Sequence, residues 1–371
     1  MTQPLPPRKP GPNPKRHIHQ RMSKMLEEIR EQPKALERTL RGELRVFERL
    51  RKRFLTQPPR LVVLAARGTS DNAAQFGRYL IEITTGIPVA LAAPSVSTLY
   101  HSRLRLDGAL VVAISQSGES TDTNVVVSEA NQLGALTLGI TNEPDSALAK
   151  LAHEVSLVRA GREKSVAATK TYTGQLMSLY LLAWALGAPL ELNDLRQLPD
   201  SAAAALSLED DVADRARSYW LMNHGIVIGR GLNYANAFEF ALKLMETCYV
   251  VAERFSSADL LHGPIAMVEQ SFPAFLFCPP GVTWPAMKQM IGKLAGLGAG
   301  RFVITDSSNA EAPKEALRIP RKLLFRGVLP ADVYTPIPYI IPAQIFAAKL
   351  AEVKGLNPDQ PRGLNKVTRT L

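Results

Sequence analysis

Short runs of unbroken apolar residues punctuate the chain. Each ends in glycine or small polar residues and gives way to a stretch of helical period. In the first half the runs are Leu61–Ala66, Ala109–Ile114 and Ala135–Ile140, and the helical stretches are Asn72–Thr84 and Thr123–Leu133. Apolar runs without polar alternation predict parallel strands buried on both faces and joined by crossover helices. The pattern then recurs at an offset of 163 to 164 residues. Val63–Gly68 matches Ile226–Gly231, Leu133–Ala135 matches Leu297–Ala299, Leu138–Asn142 matches Phe302–Asp306, and Gly118 falls against Gly281. One duplication of this length predicts two similar α/β domains rather than a solenoid. They are expected over 55–190 and 205–355, joined through residues 188–205. A helical region over 21–54, interrupted at Pro33, is expected to lead, and a tail over 356–371 to follow. Leu176–Ala188 reads as a buried helix, because a membrane span needs about 20 apolar residues and this run is shorter.

Charge changes this picture in one respect. The 371 residues carry a net +10, but residues 1–60 hold 16 Lys and Arg against 6 Asp and Glu, which accounts for the whole excess. The body is neutral and carries a basic extension, so a nucleic-acid partner is not expected. The first 14 residues contain six prolines and no apolar segment, so residues 1–20 read as a disordered tail and not as a signal peptide. Cys248 and Cys278 lie outside any metal or disulfide spacing, which fits a reducing cytoplasm and predicts no metal and no cofactor.

Ligands of open parallel sheets bind beyond the carboxyl ends of the strands, so the loops after Ala66 and Ile114 are the candidates. Ser115-Gln116-Ser117-Gly118-Glu119-Ser120-Thr121-Asp122-Thr123 opens a helix after a buried strand. Its hydroxyls and amides, with Gly68-Thr69-Ser70, suit an anion such as phosphate. Ordinary capping would need one hydroxyl, not five. The equivalent loop of the second half, Cys278-Pro279-Pro280-Gly281, lacks them. Glu239, Lys243 and Glu246 fall on one helix face. That spacing serves a surface ion-pair stripe or a general base tuned by a lysine. His262, beside Gly263-Pro264, sits in a constrained loop, and Lys366 stands near the end of the chain, where lysines are normally solvated.

Taken together these residues resemble the isomerase part of glucosamine-6-phosphate synthase, a pair of sugar-isomerase (SIS) domains of flavodoxin-like three-layer architecture. The resemblance covers residues 25–371 and is carried by Glu31-Gln32-Pro33, Gly68-Thr69-Ser70, Ser115–Glu119, Val166-Ala167-Ala168-Thr169-Lys170, the Glu239–Lys243–Glu246 triplet, His262-Gly263-Pro264 and Asp359-Gln360-Pro361-Arg362 through Lys366. It implies that Thr69, Ser70, Ser115, Gln116, Ser117 and Ser120 hold a sugar phosphate and that Val166 and Asn365 contact the sugar. Glu246 would move a proton between C1 and C2, with Glu239 and Lys243 beside it. His262 would assist ring opening from the neighbouring subunit of a homodimer, and Lys366 would form an iminium with the open-chain ketose. No cysteine precedes Cys248, so the synthase's glutaminase chemistry is not expected. Arg67 and Ala168 depart from the synthase pattern, as do Gly363 and Asn365. The stand-alone SIS-type deaminases are the nearer likeness, which implies conversion of glucosamine 6-phosphate and water to fructose 6-phosphate and ammonia. Synthesis in reverse, deglycation of fructosamine phosphates and non-catalytic sugar-phosphate sensing are the alternatives.

Overall fold

The computed structural model describes residues 22–320 and 327–366; the basic tail expected over 1–20 lies outside the described residues. Five strands, β1 (Leu61–Ala66), β2 (Val89–Leu91), β3 (Ala109–Ser115), β4 (Leu136–Thr141) and β5 (Glu154–Leu157), form a parallel sheet in the order β2-β1-β3-β4-β5. The second sheet is built from β6 (His224–Gly229), β7 (Val251–Ser256), β8 (Pro273–Phe277), β9 (Gly300–Asp306) and β10 (Leu317–Ile319). Its order, β7-β6-β8-β9-β10, is the same walk, also parallel. All seven residues of β3 are buried, as an apolar run without alternation requires.

The duplication extends to the register. Val63 pairs with Val111 in the first sheet, and Ile226 pairs with Ala274 in the second, each partner displaced by the same 163 residues. Val62 with Val89 likewise corresponds to Gly225 with Ala252. Only the last strands differ: Ile140 pairs with Ser156, whereas Ile304 pairs with Leu317.

Helix boundaries move where local chemistry moves them. The first crossover helix is Thr69–Thr85, starting three residues before the expected Asn72, because Gly68 adopts φ 57° and turns β1 directly into the helix. The leading region is two helices, Lys24–Arg30 and Gln32–Thr56. The break falls at Glu31, which places Pro33 in the first turn of the second helix, where its missing N–H costs nothing. The residues joining the halves are largely helical, with Leu198–Leu206 packed against Gln32–Thr56 and against the last helix, Pro336–Val353. The helix Lys170–Ala185 is buried at every residue but Trp184, and no helix of the described residues is long and apolar enough to cross a membrane.

The halves share a core. One cluster of buried side chains runs from Leu64 and Ile114 of the first sheet through Tyr180 to Phe240, Phe275, Phe302 and Phe346 of the second half. Phe346 meets Phe275 and Phe302 at ring centroids of 5.1 Å. Close packing of this kind transmits position, so side chains from one half can be held accurately against loops of the other.

Candidate active site

A cavity of about 570 Å³ opens at the carboxyl ends of β1 and β3. It is lined by Arg67, Thr69 and Ser70 after β1, by Ser115, Gln116, Ser117, Ser120 and Asp122 after β3, and by Val166, Glu246, Asn365 and Lys366. Ten residues anticipated from sequence thus meet around one space. Glu239 and Lys243 lie behind its wall, both fully buried. His262 is exposed at the end of the short helix Ser257–Leu261 and does not line the cavity of its own chain.

Part of the lining is made of hydroxyls and helix starts. The loop after β3 organises itself: Ser115 Oγ accepts the Gly118 N–H at 3.1 Å, and Ser117 Oγ accepts the Glu119 N–H at 3.3 Å. Gly118 has φ 66°, and a Cβ there would collide with Ser146. Two helices begin at this lining. Thr69–Thr85 is preceded by Gly68, which has no side chain to cap it, and Ser120, at the cap position of Thr121–Gln132, makes no capping bond. Capping therefore does not account for the Ser120 hydroxyl. Ser70 Oγ accepts from Gln175 Nε2 at 2.9 Å, which orients its own proton away from that bond.

Ionisable groups complete the lining. The helix Tyr234–Cys248 presents Glu239, Lys243 and Glu246 on one face. Lys243 Nζ donates to Glu246 Oε2 at 2.6 Å and to Thr69 Oγ1 at 3.1 Å, and stands 3.5 Å from Glu239 Oε1. Glu239 also accepts from Asn72 Nδ2 at 2.8 Å and from Thr69 Oγ1 at 3.3 Å. Burial pushes the Glu239 carboxyl up to about 7, although Lys243 and these donors oppose the shift. Burial by itself would lower Lys243, but the two carboxylates outweigh it and raise the ammonium further. Of the three, Glu246 reaches the cavity, with its side chain 24% exposed. The triplet is an interior network joined to the first half through Thr69 and Asn72, not a surface stripe.

Lys366 enters from the tail. Its Nζ donates at 2.7 Å to Glu163 Oε2 and at 2.7 Å to the Ser165 carbonyl. Glu163, whose side chain is wholly buried, also accepts from the Thr169 N–H and the Thr171 hydroxyl, both at 2.8 Å. Burial would raise its carboxyl, but Lys366 and those donors hold it below the usual range. Sequence reasoning missed Glu163; its position three residues before Val166, at the entry to a buried helix, is the only signal it carries. The motifs around the site serve as its scaffold. Asp359 accepts from the Lys24 and Met25 amides at 2.9 and 2.8 Å, Arg362 lies 4.2 Å over the Tyr249 ring, and Glu31 pairs with Lys170 at 2.7 Å. A second cavity, of about 700 Å³, adjoins the first and shares Gln116, Ser117 and Lys366 with it.

Two parallel sheets of one topology, with a cavity at the strand ends of the first, define an α/β protein of duplicated architecture. The chain belongs to the SIS domain family, which matches residues 54–185 and 222–328. It is 34% identical over 359 residues to a glutamine–fructose-6-phosphate aminotransferase (isomerizing) of Xylella fastidiosa, covering 92% of this chain and 58% of that one. The corresponding protein of Pyrococcus horikoshii is 33% identical over 349 residues, again covering 92% of this chain and 57% of its own length. The chain thus spans less than three fifths of these relatives. The C-terminal domain of the Francisella tularensis glucosamine-fructose-6-phosphate aminotransferase superposes with TM-score 0.80 at 26% identity, covering 92% of this chain and 99% of that domain. A glucosamine-6-phosphate deaminase of Thermotoga maritima shares the fold, with TM-score 0.72 at 22% identity over 94% of this chain and 100% of its own.

Proposed function

We propose that this protein is a cytoplasmic enzyme interconverting a 2-amino-hexose 6-phosphate and the matching 2-ketose, acting chiefly as a glucosamine-6-phosphate deaminase. The observation that carries the reading is one cavity lined both by the hydroxyls of the loops after β1 and β3 and by Glu246 and Lys366. Ser70, Ser115, Gln116, Ser117 and Ser120, with Thr69 beside them, hold the phosphate. Remote binding of this group fixes the reacting carbons. Val166 and Asn365 contact the sugar.

After ring opening, Glu246 takes the C2 proton of the 2-amino aldehyde and returns it to C1, leaving an imine at C2. Lys243, donating to Glu246 at 2.6 Å, orients it, and Glu239 supports Lys243. Lys366, its proton passed to water, adds to C2 and expels ammonia. Water then hydrolyses the resulting iminium to fructose 6-phosphate and regenerates the amine. His262 acts in ring opening from the neighbouring subunit of a homodimer, which accounts for its exposure in a single chain. Both thiols are buried, and burial pushes Cys248 up to about 12, so neither suits the nucleophilic release of ammonia from glutamine.

The test is a panel of hexosamine 6-phosphates read for ammonia and ketose, with the reverse reaction run on fructose 6-phosphate and free ammonium. Turnover of glucosamine 6-phosphate supports the reading. Faster net synthesis than deamination at matched concentrations favours the synthetic direction, which uses the same groups. Binding of these sugars without turnover in either direction refutes catalysis and leaves a sensor.

A further inference from the structure

Beside the hydroxyls that line the cavity stands a charge pair. Asp122, in the first turn of Thr121–Gln132, is buried to 4% exposure and lines the cavity. A carboxylate at a helix start built for an anion repels that anion unless it is neutralised. Arg67 neutralises it: Nε and Nη2 both reach Asp122 Oδ2, at 2.9 and 2.8 Å. This leaves Nη1 with no partner among the described residues and half of the side chain exposed at the cavity wall. Arg230 holds the equivalent place in the second half but is turned onto Ser256 Oγ at 3.4 Å, and Pro285 stands where an aspartate would match Asp122.

We infer that Arg67 is a specificity residue for the phosphorylated sugar: anchored on Asp122, it offers its free guanidinium edge to the phosphate and shields that phosphate from Asp122. A planar guanidinium suits a phosphate better than a lysine ammonium, and its charge supplies what a cradle of neutral hydroxyls lacks. Asp122 is the positioning residue, which fixes where Arg67 points.

The inference rests on the reading that this cavity takes a phosphate, and calorimetry tests it without turnover. Inorganic phosphate and fructose 6-phosphate are titrated into the full chain and into Arg67→Met and Arg67→Lys. Arg67→Met is expected to weaken both ligands at least tenfold, and Arg67→Lys to fall between it and the wild type. Binding of unphosphorylated fructose should change less than twofold. In turnover, Arg67→Met should raise KM while kcat stays within about threefold. A lower Tm with unchanged phosphate affinity overturns the inference, because Arg67 would then serve only to neutralise Asp122. If Arg67→Met does not fold, Arg67→Lys carries the test: a threefold or greater loss supports the role and none refutes it. Phosphosugar binding that depends on Arg67 in a protein without turnover would sustain this inference while removing the proposed reaction.

Discussion

Glu239 is the most perturbed acid of the site, and its titration has a definite sign. Its folded value, about 7, stands above its ordinary value of 4.5. Stability from this group is therefore greatest below about 4.5 and falls as pH rises toward 7. Replacing it with glutamine removes that slope. The stability difference between Glu239→Gln and the wild type, read from urea midpoints, should move in favour of the variant by on the order of 1–3 kcal/mol between about pH 5 and pH 8. A difference that does not change with pH would contradict the burial argument. Glu246→Gln should lower kcat by about 10²–10⁴-fold with little change in phosphosugar affinity, checked by steady-state kinetics beside binding. The serines of the cradle were legible in the sequence because they sit together in one loop. Glu163 was not, because its partner lies 203 residues away and the pair exists only once the tail has docked. Arg67 was visible as a departure from the family pattern, but its contact with Asp122 was not.

At the scale of elements, the cradle depends on a turn that only glycine accommodates. Gly118 combines φ 66° with a direct approach to Ser146, and its carbonyl accepts from Asn124 Nδ2 and the Leu148 N–H at 3.1 and 3.0 Å. Gly118→Ala should destabilise the fold by about 1–3 kcal/mol and weaken phosphate binding, measured by thermal melts and calorimetry. Equal stability and affinity would show that the turn is not strained by a side chain. The central strands β1, β3 and β4 were readable because each is an unbroken apolar run, while the short edge strands β2 and β5 and the pairing order were not. The helix starts were less readable. Gly68 and Glu31 moved them through backbone geometry that periodicity does not encode.

At the scale of the molecule, the site is a junction. The first half supplies the cradle, the second supplies Glu246, and the tail supplies Lys366. The shared aromatic core that fixes these parts was not legible, because it consists of contacts between segments each of which reads only as buried. The exposure of His262 leads to a further prediction. If it completes the neighbouring subunit's site, mixing His262→Asn with Glu246→Gln should restore activity, since each heterodimer regains one intact site. Subunit exchange at equal amounts should give about a quarter of wild-type activity. No recovery beyond the sum of the separate variants would place His262 outside catalysis. The net charge of +10 resides in residues 1–60 and not in the cradle, so removal of residues 1–20 should leave kcat unchanged.

The most direct test of the proposed reaction is to supply glucosamine 6-phosphate deuterated at C2 and to follow ammonia and the sugar product together. Shuttling by Glu246 predicts ammonia and fructose 6-phosphate in equal amounts, with part of the deuterium recovered at C1 and no product from Glu246→Gln. Saturable binding of the sugar without ammonia, or product formed equally well by Glu246→Gln, would contradict it.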